Sequence, residues 1–440
     1  MCIRDRDIYM KLSKLNIKKI NLKDIDDNYS GQDILLKLGE LYQFESGIYG
    51  YGNIWTKLER NVEKIIIDEL DKADCIQVEW PKLQPKKIWE QSNRWNQYTK
   101  DNDIMFTINN NFGEYGLAPT AEECATIFGS NRLLSYKQLP TTYYQIGEKF
   151  RKEIRTRGYL FRPRTFVMMD AYSFDKSEED MHITFNKMHN VYLNIYNRIG
   201  INIIPVISDG GTMGGRVSEE FQAITKLGED IILYDAENKI GINKEVLDFE
   251  DKETFIKKLG NINLEKMQEV HSVELGNNFE LGTKYSEAMN LFYKDENGND
   301  KPYYMGCYGI GLGRIIATTI ENNLIKKNDQ IKGFSLPLSI APYKLQIIYK
   351  EEQKDKAFEL YHKLLDNNIS CIIDDREGYS IGNRINDTFV LGTPYLTVIG
   401  DRFDGINIEL EETKTGNKET IAISEINNYF IQKEDNVVIN

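Results

Sequence analysis

The chain has 440 residues, of which 41% are hydrophobic, 28% charged and 11% aromatic. These are ordinary globular proportions, and the length suits about three structural units at roughly 150 residues each. The 26 Tyr exclude a disordered chain and the 10 Pro exclude a Pro-rich linker. The net charge of −13 excludes a protein that coats nucleic acid with its whole surface, but leaves local basic patches open.

No apolar run approaches about 18 residues, so no membrane contact is expected. The cysteines at 2, 75, 124, 307 and 371 are odd in number and share no metal-ligand spacing. That argues against a disulfide framework or a zinc site and favours a reducing compartment. His182, His189, His271 and His362 form no ligand cluster. Met1 to Asp7 mixes acids and bases without an apolar stretch, which is neither a secretory nor an organelle presequence. Residues 1–9 read as an extension ahead of a start at Met10. A cytoplasmic location is expected, with an organellar matrix left open.

Ile34, Leu35, Leu38, Leu41 and Tyr42 recur at helix spacing, and Leu58, Val62, Ile65, Ile66 and Leu70 predict a long helix over 55–73. A short strand over 76–80 ends at Pro81. A hairpin is expected around 109–113, then a helix opening at Thr120 with Glu123 in the capping-box position. Strands over 142–155 and 164–173 flank a basic segment, followed by a helix over 178–198 and a strand over 201–207. The glycine-rich 208–215 reads as a loop that lets a ligand approach the backbone. Residues 228–280 are polar and read as an insertion or small appended subdomain. Strand, glycines and an apolar helix return over 303–321. From Lys344 onward strands and helices alternate, which indicates a small α/β domain.

Three segments concentrate chemistry. Residues 149–164 hold Lys149, Arg151, Lys152, Arg155, Arg157, Arg162 and Arg164 against Glu153 alone. Guanidinium groups on both limbs of a hairpin can converge on phosphates, although a solvated basic loop has the same composition. Gly306, Gly309, Gly311 and Gly313 precede Arg314 at a helix start, which suits a nucleotide or merely tight packing. Thr120 and Glu122 are two apart and can hold a ligand amine, or simply cap a helix.

In combination and order these segments resemble class II aminoacyl-tRNA synthetases, and among them prolyl-tRNA synthetases of bacterial or organellar type. The resemblance runs from about Met10 to about Arg402. Ser46-Gly47-Ile48-Tyr49 and Glu79-Trp80-Pro81 look like motif 1, and Trp89-Glu90-Gln91-Ser92 with Arg94-Trp95 like the family's next block. Ala118 to Glu123 looks like the proline-binding loop. Lys149-Phe150-Arg151 through Asp170-Ala171-Tyr172-Ser173-Phe174 looks like motif 2, and Gly306 to Gly311 with Arg314 like motif 3. Asp374-Asp375-Arg376 and Gly400-Asp401-Arg402 look like the anticodon-binding domain.

The resemblance implies an α+β catalytic domain, an antiparallel sheet flanked by helices, and a C-terminal α/β anticodon-binding domain. The expected division is catalytic residues 10–227 and 301–338, an insertion over 228–300, and an anticodon domain over 339–440. It implies ATP-dependent ligation of L-proline to tRNA(Pro) through a prolyl-adenylate, with Mg²⁺ accompanying ATP, in a homodimer. Arg151, Glu153 and Arg314 are expected to be catalytic. Arg162, Phe166, Gly309 and Gly311 join them around ATP. Thr120, Glu122, Arg151, Gly214 and Gly215 are expected around proline, and Asp375, Arg376 and Arg384 at the anticodon. No metal ligand is assigned.

The sequence departs from the family at Pro163, at Thr165 in place of a carboxylate, at Lys152 for Asp, and at Glu219 for His. The usual Pro-Leu-Gly is missing around Gly52-Asn53-Ile54. Only about 75 residues separate the glycine loop from motif 3, so the large editing insertion of many bacterial relatives is expected to be absent. A synthetase for another amino acid, or an RNA-binding paralogue without activity, remains a competing reading.

Overall fold

A computed structural model describes residues 10–25, 28–156, 158–211, 213, 217–260 and 262–437. Its centre is a nine-stranded sheet. In spatial order the strands are Val217–Ile224, Ile204–Asp209, Ile240–Asn243, Asp230–Asp235, Gln268–Gly282, Tyr304–Gly311, Thr165–Asp175, Thr141–Phe150 and Ile76–Gln77. All neighbours are antiparallel except Ile204–Asp209 beside Ile240–Asn243 and Thr141–Phe150 beside Ile76–Gln77. Val217–Ile224 also pairs with Gln268–Gly282, so the first five strands close into a ring.

Strand alternation sorts the two faces of the sheet. Met169 and Ala171 enter the main core, together with Ile310 on the neighbouring strand. That core lies under the helices Asn53–Lys72, Glu178–Ile199 and Leu312–Asn322. Asn53–Lys72 buries Trp55, Leu58, Val62, Ile65, Ile66 and Leu70 along one stripe, as its spacing predicts. Its N-terminus is held by Glu40, whose carboxylate accepts from the Ile54 N–H at 2.8 Å. A Cβ on Gly52 would collide with that carboxylate, so glycine is required there. The helix Glu178–Ile199 is capped by Ser177, whose hydroxyl accepts from the Asp180 N–H at 3.1 Å, and it carries three acids in its first turn. Arg198 bridges from that helix to Asp68 at 3.1 Å and Glu69 at 2.7 Å, locking the two long helices together.

The C-terminal unit has its own five-stranded sheet, in the order Cys371–Ile373, Leu345–Tyr349, Tyr395–Ile399, Asn407–Glu412 and Lys418–Ala422. The first three strands are parallel and are joined through the helices Lys354–Asp366 and Ile381–Val390. This is the α/β alternation expected of the sequence, extended by an antiparallel hairpin.

Several expectations need correction. The helix Ser30–Leu38 ends at Gly39, and Leu41 and Tyr42 lie in a strand, Leu41–Glu45, paired with Ile48–Tyr51. Gly39 adopts φ 85°, a left-handed stop that helix spacing alone does not register. Residues 228–280, read as an insertion or small appended subdomain, are in part built into the central sheet. They supply three strands of the central sheet, and the 15-residue Gln268–Gly282 sits at its middle. Their polar composition misleads because the ring they close leaves much of them exposed. Of the cysteines, Cys75, Cys124, Cys307 and Cys371 are free and buried; Cys2 and the expected extension 1–9 lie outside the described residues.

Candidate active site

The strands Thr141–Phe150, Thr165–Asp175, Tyr304–Gly311 and Gln268–Gly282 present one face to a cleft of about 680 Å³. Register fixes which residues meet there. Asp170 lies opposite both Gln145 and Gly309, and Tyr172 lies opposite Cys307, which in turn faces Phe279. Thr120, Glu122, Tyr98, Arg151, Met213 and Cys307 line the larger end. Phe166, Gly311, Gly313, Arg314 and Glu274 line a narrower end, and Arg151, Glu153, Arg162, Met168 and Gly309 belong to both.

At the closed end, the Thr120 hydroxyl donates to Glu122 Oε1 at 2.7 Å. Beneath them the Tyr172 hydroxyl accepts from the Ala121 N–H and donates to Asp170 Oδ2, both at 3.0 Å. Asp170 also takes Lys149 Nζ at 2.6 Å and Gln145 Nε2 at 3.0 Å. Lys149 and Asp170 are both buried, so this ion pair is isolated from water. Burial, reinforced by Asp170, pushes the Tyr172 phenol well above its ordinary range, so it remains a neutral donor.

Arg94 closes the wall behind Glu122. Its Nη1 donates to Glu122 Oε2 and Glu123 Oε1, each at 3.0 Å, and its Nη2 donates to the Tyr98 hydroxyl. Burial holds the Glu123 carboxyl above its ordinary range, with Arg94 opposing the shift only in part. Glu123 therefore does not make the expected capping box: Ala121 is the N-cap of Glu122–Ser130 and makes no side-chain cap bond.

At the open end the arginines are already held. Arg162 Nε donates to Glu153 Oε2 at 2.7 Å, and its Nη1 reaches Glu229 at 3.4 Å. Arg314 donates to the Phe161 carbonyl at 2.9 Å and to Glu274 Oε2 at 3.0 Å. Arg151 lies 5.2 Å from the Phe166 ring centroid, over its face, with Nε 3.3 Å from the Pro119 carbonyl. The glycine run serves two purposes. A Cβ on Gly306 would collide with the Tyr308 hydroxyl, which is packing, whereas Gly311 and Gly313 have nothing nearer than 3.8 Å and leave the cleft floor bare.

Thus Thr120, Glu122, Arg151, Glu153, Arg162, Phe166, Gly309, Gly311 and Arg314 meet in one cleft. Gly214 and Gly215 lie outside the described residues, although Met213 beside them lines the cleft. Glu219, expected at the pocket edge, instead accepts from His189 Nδ1 at 2.9 Å and borders a different groove. Lys152 pairs with Asp103 at 2.8 Å, and Thr165 opens its strand opposite Phe150.

In the C-terminal unit, Arg384 is buried and donates to the carbonyls of Asp374 at 3.1 Å and Arg376 at 2.5 Å. Arg376 is paired with Asp374 and Asp387, and Asp375 accepts from the Ser13 N–H and hydroxyl. Sequence reasoning did not assign Arg94, Tyr98, Asp170 or Tyr172 a role in the site. Period-two alternation from Phe166 points to Asp170 and Tyr172, and Arg94 is marked only as part of a block resembling the family, with no role attached.

A nine-stranded, mainly antiparallel sheet with a two-ended cleft, followed by an α/β unit, defines a class II synthetase core with its anticodon-binding domain. The family described as tRNA synthetase class II core domain (G, H, P, S and T) matches residues 105–323, and the anticodon binding domain matches 337–433. The chain is 34% identical over 435 residues to a proline--tRNA ligase of Rickettsia bellii, covering 96% of this chain and 99% of that one. It is 33% identical to that of Rickettsia akari, covering 96% and 100%. The chain belongs to the proline--tRNA ligase family. A solved prolyl-tRNA synthetase of Cryptosporidium parvum, complexed with L-proline and AMP, shares the fold with a TM-score of 0.71 at 16% identity, covering 93% of this chain and 79% of that one.

Proposed function

We propose that the chain ligates L-proline to tRNA(Pro) in two steps within this cleft. A proline carboxylate oxygen attacks the α-phosphorus of ATP, the bond to the β-phosphate breaks, and pyrophosphate leaves with prolyl-adenylate retained. A hydroxyl at the 3′ end of the tRNA then attacks the prolyl carbonyl, and AMP departs. The observation that carries this reading is the single cleft that joins Glu122 and Thr120 at its closed end to Arg151, Arg162 and Arg314 at its open end. Glu122 and Thr120 suit a charged secondary amine. The arginines suit the charge that develops on a phosphoryl group, where positioning and neutralisation do most of the catalysis.

Arg151, common to both ends, is placed to bridge proline carboxylate and α-phosphate. Phe166 and Arg314 offer opposite faces for the adenine, and Arg162 exchanges its carboxylate partners for ATP phosphates. Among the described residues no group of three or more metal-ligating side chains stands together. Mg²⁺, which the family implies, would accompany ATP. Bound there, it supplies charge neutralisation of the triphosphate.

Residues 228–300 are few, and three of their segments are strands of the central sheet, which supports an enzyme without a large cis-editing domain. The hairpin Leu41–Tyr51 exposes Tyr42 and Phe44, an apolar surface that suits a homodimer contact. Among the described residues no helix is long and apolar enough to cross a membrane. ATP–pyrophosphate exchange with each amino acid in turn is the test. Exchange with proline alone is expected; exchange with another amino acid, or with none, refutes the reading.

A further inference from the structure

One buried cation faces two carboxylates behind the closed end of the cleft. The Arg94 side chain is 2% exposed and is enclosed by the rings of Trp89, Tyr98 and Tyr285 at 5.1, 4.5 and 5.2 Å. Its Nη1 is shared between Glu122 and Glu123. The two acids differ in what else they touch. Glu123 Oε1 also accepts from the Ser92 hydroxyl at 2.6 Å, and Glu123 is not part of the cleft lining. Glu122 lines the cleft, with Oε1 held by Thr120 and Oε2 by Arg94.

A lone Arg94–Glu122 pair would be neutral and would offer little to an incoming cation. A second acid on the same guanidinium changes the balance: Arg94 Nη1 is shared between two carboxylates in a dry wall, so Glu122 is only partly compensated. An uncompensated buried charge is costly, so a ligand cation that reaches it is bound strongly. A carboxylate has about four lone-pair directions, so two donors still leave Glu122 able to accept from a ligand N–H.

We propose that Arg94 and Glu123 are positioning residues that orient Glu122 and leave it the acceptor of the substrate amine. Glu123 balances the guanidinium from outside the cleft, and Arg94 with Thr120 fixes the angle of the Glu122 carboxylate. This rests on the proline reading above.

Glu123→Gln keeps the shape and the Ser92 contact but removes one charge. With the wild-type chain as reference, exchange kinetics should show the KM for proline rising about tenfold or more, while the KM for ATP stays within twofold. Tetrahydro-2-furoate has proline's ring and carboxylate without the amine. Its Ki as a competitor should stay within twofold. Arg94→Lys, which keeps the charge but not the fork, should raise the proline KM with the fold retained by circular dichroism.

An unchanged proline KM in Glu123→Gln overturns the proposal, as a permanently protonated Glu123 would. Equal weakening of proline and tetrahydro-2-furoate overturns it too, because that is general damage to the pocket. The two readings fail separately. If the wild type exchanges with a different amino acid, the proline assignment falls, and the same variant is scored with that substrate. If it exchanges with none, proline binding measured by calorimetry scores the variant directly.

Discussion

Removing one oxygen, in Tyr172→Phe, tests whether the floor of the cleft is a connected polar network. In the structure that hydroxyl accepts from the Ala121 N–H and donates to Asp170, each at 3.0 Å, and lies 3.4 Å from Thr120 Oγ1. Ala121 is 1% exposed, so its N–H has no water to turn to. A buried donor left unpaired costs about 1–3 kcal/mol. Asp170 keeps Lys149 and Gln145, so its loss adds little. About 1–3 kcal/mol corresponds to roughly 1.5–4 °C in Tm for a catalytic unit of roughly 330 residues. Ala121 caps the helix that begins at Glu122, so the same change should loosen Thr120 and Glu122. Calorimetry of the variant should show the Tm drop, and exchange kinetics a several-fold rise in proline KM with ATP KM unchanged. A Tm within 1 °C of wild type together with an unchanged proline KM would refute the network.

Other outcomes follow from groups outside the floor. The hydrogen bond from His189 to Glu219 raises the imidazole above its ordinary 6.5, so its contribution to stability is fully present below that value and is lost as pH rises through the folded value. Glu219→Gln should therefore destabilise the chain at pH 6 and not at pH 9; equal loss at both would show a role other than the ion pair. Burial, then Glu274, pushes the Glu220 carboxyl up to about 8 from its ordinary 4.5. The folded chain thus keeps a proton that the unfolded chain releases, and stability falls as pH rises between those values. Glu220→Gln should flatten urea midpoints measured across that range, and an unaltered slope would count against the assignment. Phe44→Asp should convert a dimer into monomers in sedimentation, and a monomeric wild type would remove the hairpin as an interface.

Much of this arrangement is legible in the chain itself, and the exceptions have physical causes. The stripe Leu58, Val62, Ile65, Ile66 and Leu70 dictates its helix because only one face can be apolar at that spacing. The basic segment 149–164 could be read as convergent because strands on both sides force its ends together. Leu41 and Tyr42 mislead because a left-handed glycine changes the backbone without breaking the apolar spacing. Residues 268–282 mislead because a strand at the middle of a sheet is expected to be apolar, yet Asn277 and Asn278 serve the cleft and the ring. Arg94 and Glu122 are 28 residues apart, and a buried ion pair between distant elements leaves no periodic trace.

The ion pairs at the open end bear on how such a site stays folded before ATP arrives. Arg162 and Arg314 lie on three carboxylates from different segments, Glu153 and Glu229 for one and Glu274 for the other. An array of arginines aimed at one volume would otherwise repel itself. The acids remove that repulsion and keep each guanidinium near its working position, at modest strength because both pairs are partly exposed. Phosphate oxygens carry more charge and accept the same fork geometry, so exchange of partners costs little rearrangement. The closed end has no such exchange: Arg94 is buried and its acids are permanent. On the proposed function, the open-end pairs would yield to a triphosphate, whereas the pair behind Glu122, being buried, would stay in place.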